Sequence, residues 1–245
     1  MLRFIIIVLF LISFLILGIP LLLGEWILSK INVKAADISS LRIVQWAFRV
    51  ILKIAGTQTI IIGEDHIPDE PVLYVGNHRS FFDILITYSR CNNLTGFVAK
   101  KEMLKAPLLK DWMKRLYCLF LDRDNPKEGL KTILLAIDYV KSGISIFIFP
   151  EGTRNKGEEL SMLPFHAGSL KIAEKSRCKI IPVCINHTAY IFEEQFPRIK
   201  KTKVVVEYGV PIDISTLNPE EKKHLSQHIQ TLIQATINKN QSLIQ

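Results

Sequence analysis

From Phe4 to Gly24 the chain carries no charged residue, and leucine, isoleucine, valine and phenylalanine dominate the run. That is about the length a helix needs to cross a hydrocarbon core. A cleavable signal would show a shorter apolar region, about 7–15 residues, followed by a small-residue cleavage site. Here the run is longer and leads into Glu25-Trp26-Ile27-Leu28, so the sequence points to a retained anchor. Gly18 and Pro20 lie inside the run and are expected to kink or interrupt the helix.

The next segment, Leu41 to Ala55, differs in kind. Arg42, Arg49 and Lys53 share one helical face, and apolar residues cover most of the rest. A basic stripe on an apolar helix suits the boundary between headgroups and acyl chains. A buried helix with a solvated edge has the same period. The first helix is expected either to span the bilayer or to pair with the second as a hairpin in one leaflet. Lys30, Lys34, Arg42, Arg49 and Lys53 follow the run, against Arg3 and the amino terminus before it. That bias places the remainder of the chain on the cytoplasmic face of a membrane. Residues 1–55 are thus expected to form the anchor and interfacial helix, and residues 56–245 the working domain.

Net charge is +8, which favours anionic partners: nucleic acid, a bilayer surface or a phosphate-bearing substrate. No nucleic-acid reading module is recognisable, and an anchor would hinder one. Cys91, Cys118, Cys178 and Cys184 form no C-x-x-C pair and are expected to be buried thiols in a reducing compartment. His224 and His228 stand four apart with no third ligand in view, as expected of a solvated helix face, so no metal site is indicated.

After Gly56 short apolar runs alternate with amphipathic stretches. Strands are expected at Gln58–Ile62, Val72–Val75, Leu94–Ala99, Cys118–Leu121, Ile144–Phe149, Ile180–Ile185 and Val204–Tyr208. Helices are expected at Phe81–Ser89, Lys101–Arg115, Lys127–Lys141, Gly168–Lys175 and Glu220–Asn238. Apolar strands separated by helix-length segments predict an α/β fold, a mostly parallel sheet covered by helices on both faces. In such sheets chemistry gathers where strands end and helices begin.

Three polar clusters fall at such junctions. Asn77-His78-Arg79-Ser80-Phe81-Phe82-Asp83 follows an apolar strand. An imidazole is the side chain best suited to taking a proton near neutral pH. An Asp five residues on can turn back to its far nitrogen, with the logic of a Ser-His-Asp triad whose hydroxyl comes from the substrate. Phe149-Pro150-Glu151-Gly152-Thr153-Arg154 closes another strand. There Gly152 allows close backbone approach, Arg154 offers a fork of donors for a phosphate, and Glu151 could hold that Arg or orient substrate hydroxyls. Leu119-Phe120-Leu121-Asp122-Arg123 closes a third, and Lys100 and Lys101 stand just beyond a fourth. Cations at three separate strand ends could converge on one anion. The chain has no G-x-S-x-G elbow, Walker loop or dinucleotide fingerprint.

Together with Ile180-Ile181-Pro182-Val183, these blocks stand in the order seen in the glycerolipid acyltransferase family, and the chain resembles its 1-acyl-sn-glycerol-3-phosphate acyltransferases over roughly Gly56 to Tyr208. The resemblance implies an acyltransferase domain in which His78 is the general base and Asp83 orients it. It implies that Lys100 (or Lys101), Arg123, Glu151, Gly152, Thr153 and Arg154 bind the glycerol phosphate, and that Pro182 belongs to a block associated with the acyl chain. The implied partners are membrane lipid, lysophosphatidic acid as acceptor, and acyl-CoA or an acyl carrier protein as donor. No cofactor is implied. The alternatives are another lysophospholipid or lyso-aminolipid acceptor, and a non-catalytic lipid-binding protein, for which an intact His-Asp pair would be superfluous. One departure stands out. Where the second block usually opens with Gly, this chain has Tyr117, which is expected to disturb the path into Arg123.

Overall fold

The computed structural model describes residues 1–244. It opens with two antiparallel helices, α1 (Leu2–Ile31) and α2 (Val33–Ala55), joined at Asn32. The Asn32 side chain accepts from the Ala35 N–H at 3.0 Å and so caps α2. Gly56, at φ 75°, takes the left-handed conformation that ends it.

The expected interruption at Gly18 and Pro20 does not occur: α1 runs unbroken through both. Gly18 is instead a notch, because a Cβ there would stand 3.0 Å from the indole nitrogen of buried Trp112. Phe14 stacks on the same indole, with centroids 5.6 Å apart. Pro20 deletes a single backbone donor, and packing against the domain holds the helical path. Glu25, buried, accepts from Ser39 (2.6 Å) and Ser40 (3.1 Å) and so fastens α1 to α2.

Phe4, Ile7, Phe10, Leu15 and Leu22 also pack against the domain, and the opposite face of α1 is bare. Leu9, Ile12, Ile16, Leu17 and Leu23 are exposed, and the helix is long and apolar enough to cross a membrane. Such a surface associates with lipid.

Among the described residues seven strands form one sheet: β1 (Gln58–Ile62), β2 (Leu73–Gly76), β3 (Thr95–Lys100), β4 (Leu119–Leu121), β5 (Ser145–Ile148), β6 (Ile180–Asn186) and β7 (Lys203–Tyr208). Their spatial order is β1-β7-β6-β2-β5-β3-β4. Every pairing is parallel except β6 with β7. The mostly parallel α/β sheet is therefore present, with its strands close to the expected positions.

Alternate residues feed two cores. Tyr74, Phe147, Ile181 and Val183 pack beneath α2, α3 (Phe81–Tyr88) and α4 (Leu109–Arg115). Leu73, Val75, Ile146, Ile148 and Ile180 pack beneath α5 (Pro126–Lys141), α6 (Lys171–Ser176) and α8 (Leu225–Asn240). Burial on both faces explains why these strands lack strict polar alternation. Leu41, Val44 and Ile51 of α2 share the first core with the sheet, so packing does not stop at residue 55.

Helix boundaries differ from expectation in four places. The second helix begins at Val33 rather than Leu41. The stretch Lys101–Arg115 splits into a 3-10 turn (Lys101–Lys105) and α4, because Pro107 and a left-handed Leu108 (φ 62°) break the path. Gly168–Lys175 likewise divides into a 3-10 turn (Ala167–Leu170) and α6. The C-terminal helix is split at His224 into α7 (Pro219–Lys223) and α8. All four cysteines are free, and burial pushes Cys91 up to about 12 and Cys118 up to about 11.

Candidate active site

β2, β5, β3 and β4 are parallel neighbours in that order, so their C-terminal ends form a row at one edge of the sheet. His78 follows β2, Glu151 to Arg154 follow β5, Lys100 ends β3 and Arg123 follows β4. Residues more than 70 positions apart in the chain, His78 and Glu151 among them, thereby become lateral neighbours, with strands spaced about 4.8 Å apart.

The His78 corner is fully braced. Its Nδ1 lies 2.9 Å from Asp83 Oδ2. Asp83 is inaccessible to solvent, and the same oxygen accepts the backbone N–H groups of Arg79 (2.7 Å) and Ser80 (2.8 Å). Its other oxygen accepts the Thr188 hydroxyl. These contacts follow from a capping box: Ser80 caps α3, and Asp83 reaches back from the third helical position. A carboxylate so placed accepts a hydrogen bond from Nδ1–H, leaving Nε2 as the basic nitrogen of the neutral ring. Among the described residues Nε2 has no hydrogen-bond partner. The imidazole stacks on Phe149, with centroids 4.1 Å apart and planes 16° from parallel, which fixes its plane as well as its tautomer.

Asn77 bonds both backbone groups of Ile185, at 2.8 Å each, and so ties the end of β2 to β6. Buried Arg79 turns away from the row. It donates to the carbonyls of Glu158 (2.7 Å) and Gly157 (2.8 Å), and its Nε lies 3.0 Å from Glu159.

Glu151 does not hold Arg154. Its carboxylate accepts the backbone N–H groups of His78 (2.7 Å) and Leu163 (2.8 Å), so it clamps the β2 loop to the chain beyond β5. Burial raises its pKa. Arg154 pairs instead with Glu193 at 3.1 Å and lies over the Phe81 ring at 3.7 Å. Glu193 also accepts the Ser80 hydroxyl (2.6 Å) and the Phe81 N–H (2.8 Å).

Gly152 adopts φ 75°, and a Cβ there would stand 3.2 Å from the His166 ring and 3.8 Å from Arg123 Cζ. Only glycine leaves that space open. Arg123 thus reaches across β3 to the Gly152 turn. Among the described residues it makes no ion pair or hydrogen bond, and partial burial lowers its pKa. Lys100 is exposed and likewise unpaired, whereas Lys101 is neutralised by Asp122 at 2.7 Å. Thr153 is exposed at the turn. Pro182 lies apart from these groups, buried in β6 in register with Val75 and packed against Gly209.

Tyr117 stands where glycine was expected. It adopts φ 58°, the left-handed conformation that glycine takes freely. Its hydroxyl donates to Asp37 of α2, which also pairs with Arg115 at 2.8 Å. The opposite strand supplies the room: a Cβ on Gly96 would lie 2.2 Å from the Tyr117 carbonyl oxygen.

Thr188, Glu193 and His166 escape a reading of the motifs, and Phe149 stands in one of them without a role assigned to it. Phe149 adjoins Pro150-Glu151, and Glu193-Glu194 is an acidic pair on a basic chain, so both carried some signal. Thr188 lies 105 positions from Asp83 and carried none.

A family model described as Acyltransferase matches residues 58–186. The chain is 30% identical over 166 residues to the 1-acyl-sn-glycerol-3-phosphate acyltransferase of Escherichia coli K12, covering 67% of this chain and 66% of that one. It is 31% identical over 189 residues to the coconut (Cocos nucifera) enzyme of the same name (75% and 59%) and 26% identical over 175 residues to that of Saccharomyces cerevisiae (71% and 58%). It thus spans 58–66% of the length of these relatives. The crystal structure of the 1-acyl-sn-glycerophosphate acyltransferase from Thermotoga maritima superposes with a TM-score of 0.82 at 20% identity, over 98% of this chain and 96% of that one, and so has the same fold. The matched segment takes in more than half of the chain and all four strand ends of the row, and on that ground the chain belongs to the Acyltransferase family.

Proposed function

We propose that the protein transfers a fatty acyl group from an acyl thioester to the sn-2 hydroxyl of 1-acyl-sn-glycerol 3-phosphate, giving phosphatidic acid for phospholipid synthesis. The observation that carries this reading is the braced His78–Asp83 pair with Nε2 unoccupied. Relatives named for this activity support the choice of acceptor.

In this mechanism Nε2 takes the proton of the acceptor hydroxyl as its oxygen attacks the thioester carbonyl. The tetrahedral intermediate collapses by breaking the carbon–sulfur bond. The thiolate leaves and receives the proton from the imidazolium. Atoms balance without a covalent acyl-enzyme. Asp83 steadies the charge on the ring, and base assistance of this type contributes about 10²–10⁴-fold. Arg123 and Lys100, which hold no counter-ion, receive the phosphate at the Gly152 turn; Arg154 joins them once released from Glu193. Fixing the phosphate sets the hydroxyl at a constant distance from the base. Glu151 serves by holding the His78 backbone. Pro182 keeps the β6 wall in place beside the acyl chain.

The bare surface of α1 keeps the working domain, residues 56–245, at the lipid. Acceptor and product then exchange without extraction into water, which would cost roughly 0.8 kcal/mol for each buried CH₂. The excess of Lys and Arg after the apolar run supports a cytoplasmic position for this domain, where acyl-CoA or an acyl carrier protein would serve as donor.

The test is acyl transfer by purified protein in lipid micelles, with a panel of lysophospholipids and both donor types. Selective use of lysophosphatidic acid that disappears with His78→Ala supports the reading. Equal turnover by the folded His78→Ala protein overturns it, and preference for an acceptor without a phosphate monoester overturns the headgroup assignment.

A further inference from the structure

A second group of cations lies away from the strand-end row. Arg42, Arg49 and Lys53 of α2 face Arg90, just beyond α3, across a cleft of about 560 Å³ at the edge strand β1. None of its lining residues belongs to the His78 site. Among the described residues only Arg90 of the four cations has a carboxylate partner, Glu64, with one bond at 2.7 Å. Arg42 donates only to Gln45 (2.9 Å) and Arg49 only to the Ser89 carbonyl (3.3 Å), and Lys53 has no partner among the described residues. Four cations thus meet one carboxylate. Thr57, also lining the cleft, has a buried hydroxyl with no hydrogen-bond partner.

The cleft is built rather than incidental. Gln45 is fully buried, and its amide donates to the carbonyls of Tyr88 (3.1 Å) and Cys91 (2.7 Å). That fastens α2 to the end of α3 and holds the two cationic walls at a fixed separation. Uncompensated cations so held repel one another unless an anion lies between them. Guanidinium forks on two sides suit the oxygens of a phosphate.

The surroundings select the source of that phosphate. Trp46 on the same helix is exposed, as is the apolar length of α1 that packs beside it. A ligand seated in the cleft therefore meets lipid-facing surface at its rim. We propose that this cleft binds the phosphate of an anionic phospholipid headgroup, a lipid site separate from the site of acyl transfer. The basic stripe on α2 then acts with α3 as a headgroup socket, not as a diffuse charged face. Excess positive charge disfavours zwitterionic headgroups, whose own cation would enter beside the guanidinium groups.

Binding can be measured on the full chain in uncharged detergent micelles, following the unfolding midpoint as short-chain phosphatidylglycerol, phosphatidylcholine or inorganic phosphate is added. Phosphatidylglycerol should raise the midpoint saturably, and the other two should not at equal concentration. Each Lys or Arg near a lipid surface contributes about fivefold in affinity, so Arg49→Gln/Lys53→Gln should weaken the effect by about 25-fold. Should that double variant fail to fold, Arg42→Gln alone should weaken it by about fivefold. Arg123→Gln, at the strand-end row, should leave it unchanged. The proposal is overturned if the α2 variants bind phosphatidylglycerol like the parent, if Arg123→Gln removes the effect instead, or if inorganic phosphate is bound equally well.

Discussion

The two halves of the strand-end row are built on opposite principles. At the β2 end every polar group around His78 is paired: Asp83 accepts from three residues besides the imidazole, and Glu151 uses both oxygens on backbone N–H groups. At the β3 and β4 ends Lys100 and Arg123 have no partner among the described residues. A base must keep one ring orientation through a reaction, so its bracing belongs in the fold itself. An anion site gains most when its cations have no internal counter-ion to displace. Arg154 stands between these extremes, since Glu193 already neutralises it.

The largest expected effect breaks the braced half. His78→Ala should lower turnover by about 10²–10⁴-fold with the fold retained. Asp83→Asn should also be severe, since an amide cannot support the imidazolium. Steady-state kinetics on protein with a native unfolding midpoint measures both.

Next come the open cations. Arg123→Ala should raise the acceptor KM by about 10–100-fold, the worth of a hydrogen bond to a charged group, with little change for the donor. Glu193→Gln would sharpen the contrast. It removes the counter-ion of Arg154 while its amide oxygen still accepts the Phe81 N–H and its NH₂ can donate to the Ser80 hydroxyl, so the acceptor KM should fall. A rise in acceptor KM would show that Glu193 orients Arg154 rather than competing for it.

A smaller effect is expected at Tyr117. Tyr117→Phe loses the hydroxyl bond to Asp37 but keeps the strained backbone, and should cost about 1 kcal/mol of stability in denaturant unfolding. No loss would mean that the bond does not offset the strain.

The smallest effect concerns pH. Burial holds Glu151 above the ordinary Glu value, so between about 4.3 and its raised value the native state binds more protons than the unfolded chain. Stability from this group is full below that window and is lost as pH rises through it. Glu151→Gln should flatten that part of the stability profile. An unchanged slope would assign it to other groups.

Much of the fold was legible because local patterning is strong. Apolar runs at Val72–Val75 and Ile144–Phe149 can only be covered strands, and Ser80 with Asp83 spells a capping box within four residues. The His78–Asp83 contact is local for the same reason. The break at Leu108 was harder to see, since Pro107 interrupts an otherwise helical pattern whose amphipathic period continues into α4. Tyr117 takes the positive φ open to glycine, and its contacts with Asp37 and Gly96, both distant in sequence, could not be read locally.

By itself the sequence determined the apolar anchor, the strand-and-helix alternation and the imidazole–carboxylate pair, all properties of period and short-range reach. The tertiary structure alone decided the order of the strands. That order sets Arg123 against Gly152, gives Arg154 to Glu193 and Asp83 to Thr188, and makes the α2 stripe one wall of a cleft. Each of these depends on which chain-distant groups become neighbours when the two faces of the sheet are buried. A one-dimensional pattern does not encode that choice residue by residue, because the same apolar strand packs equally well beside many partners.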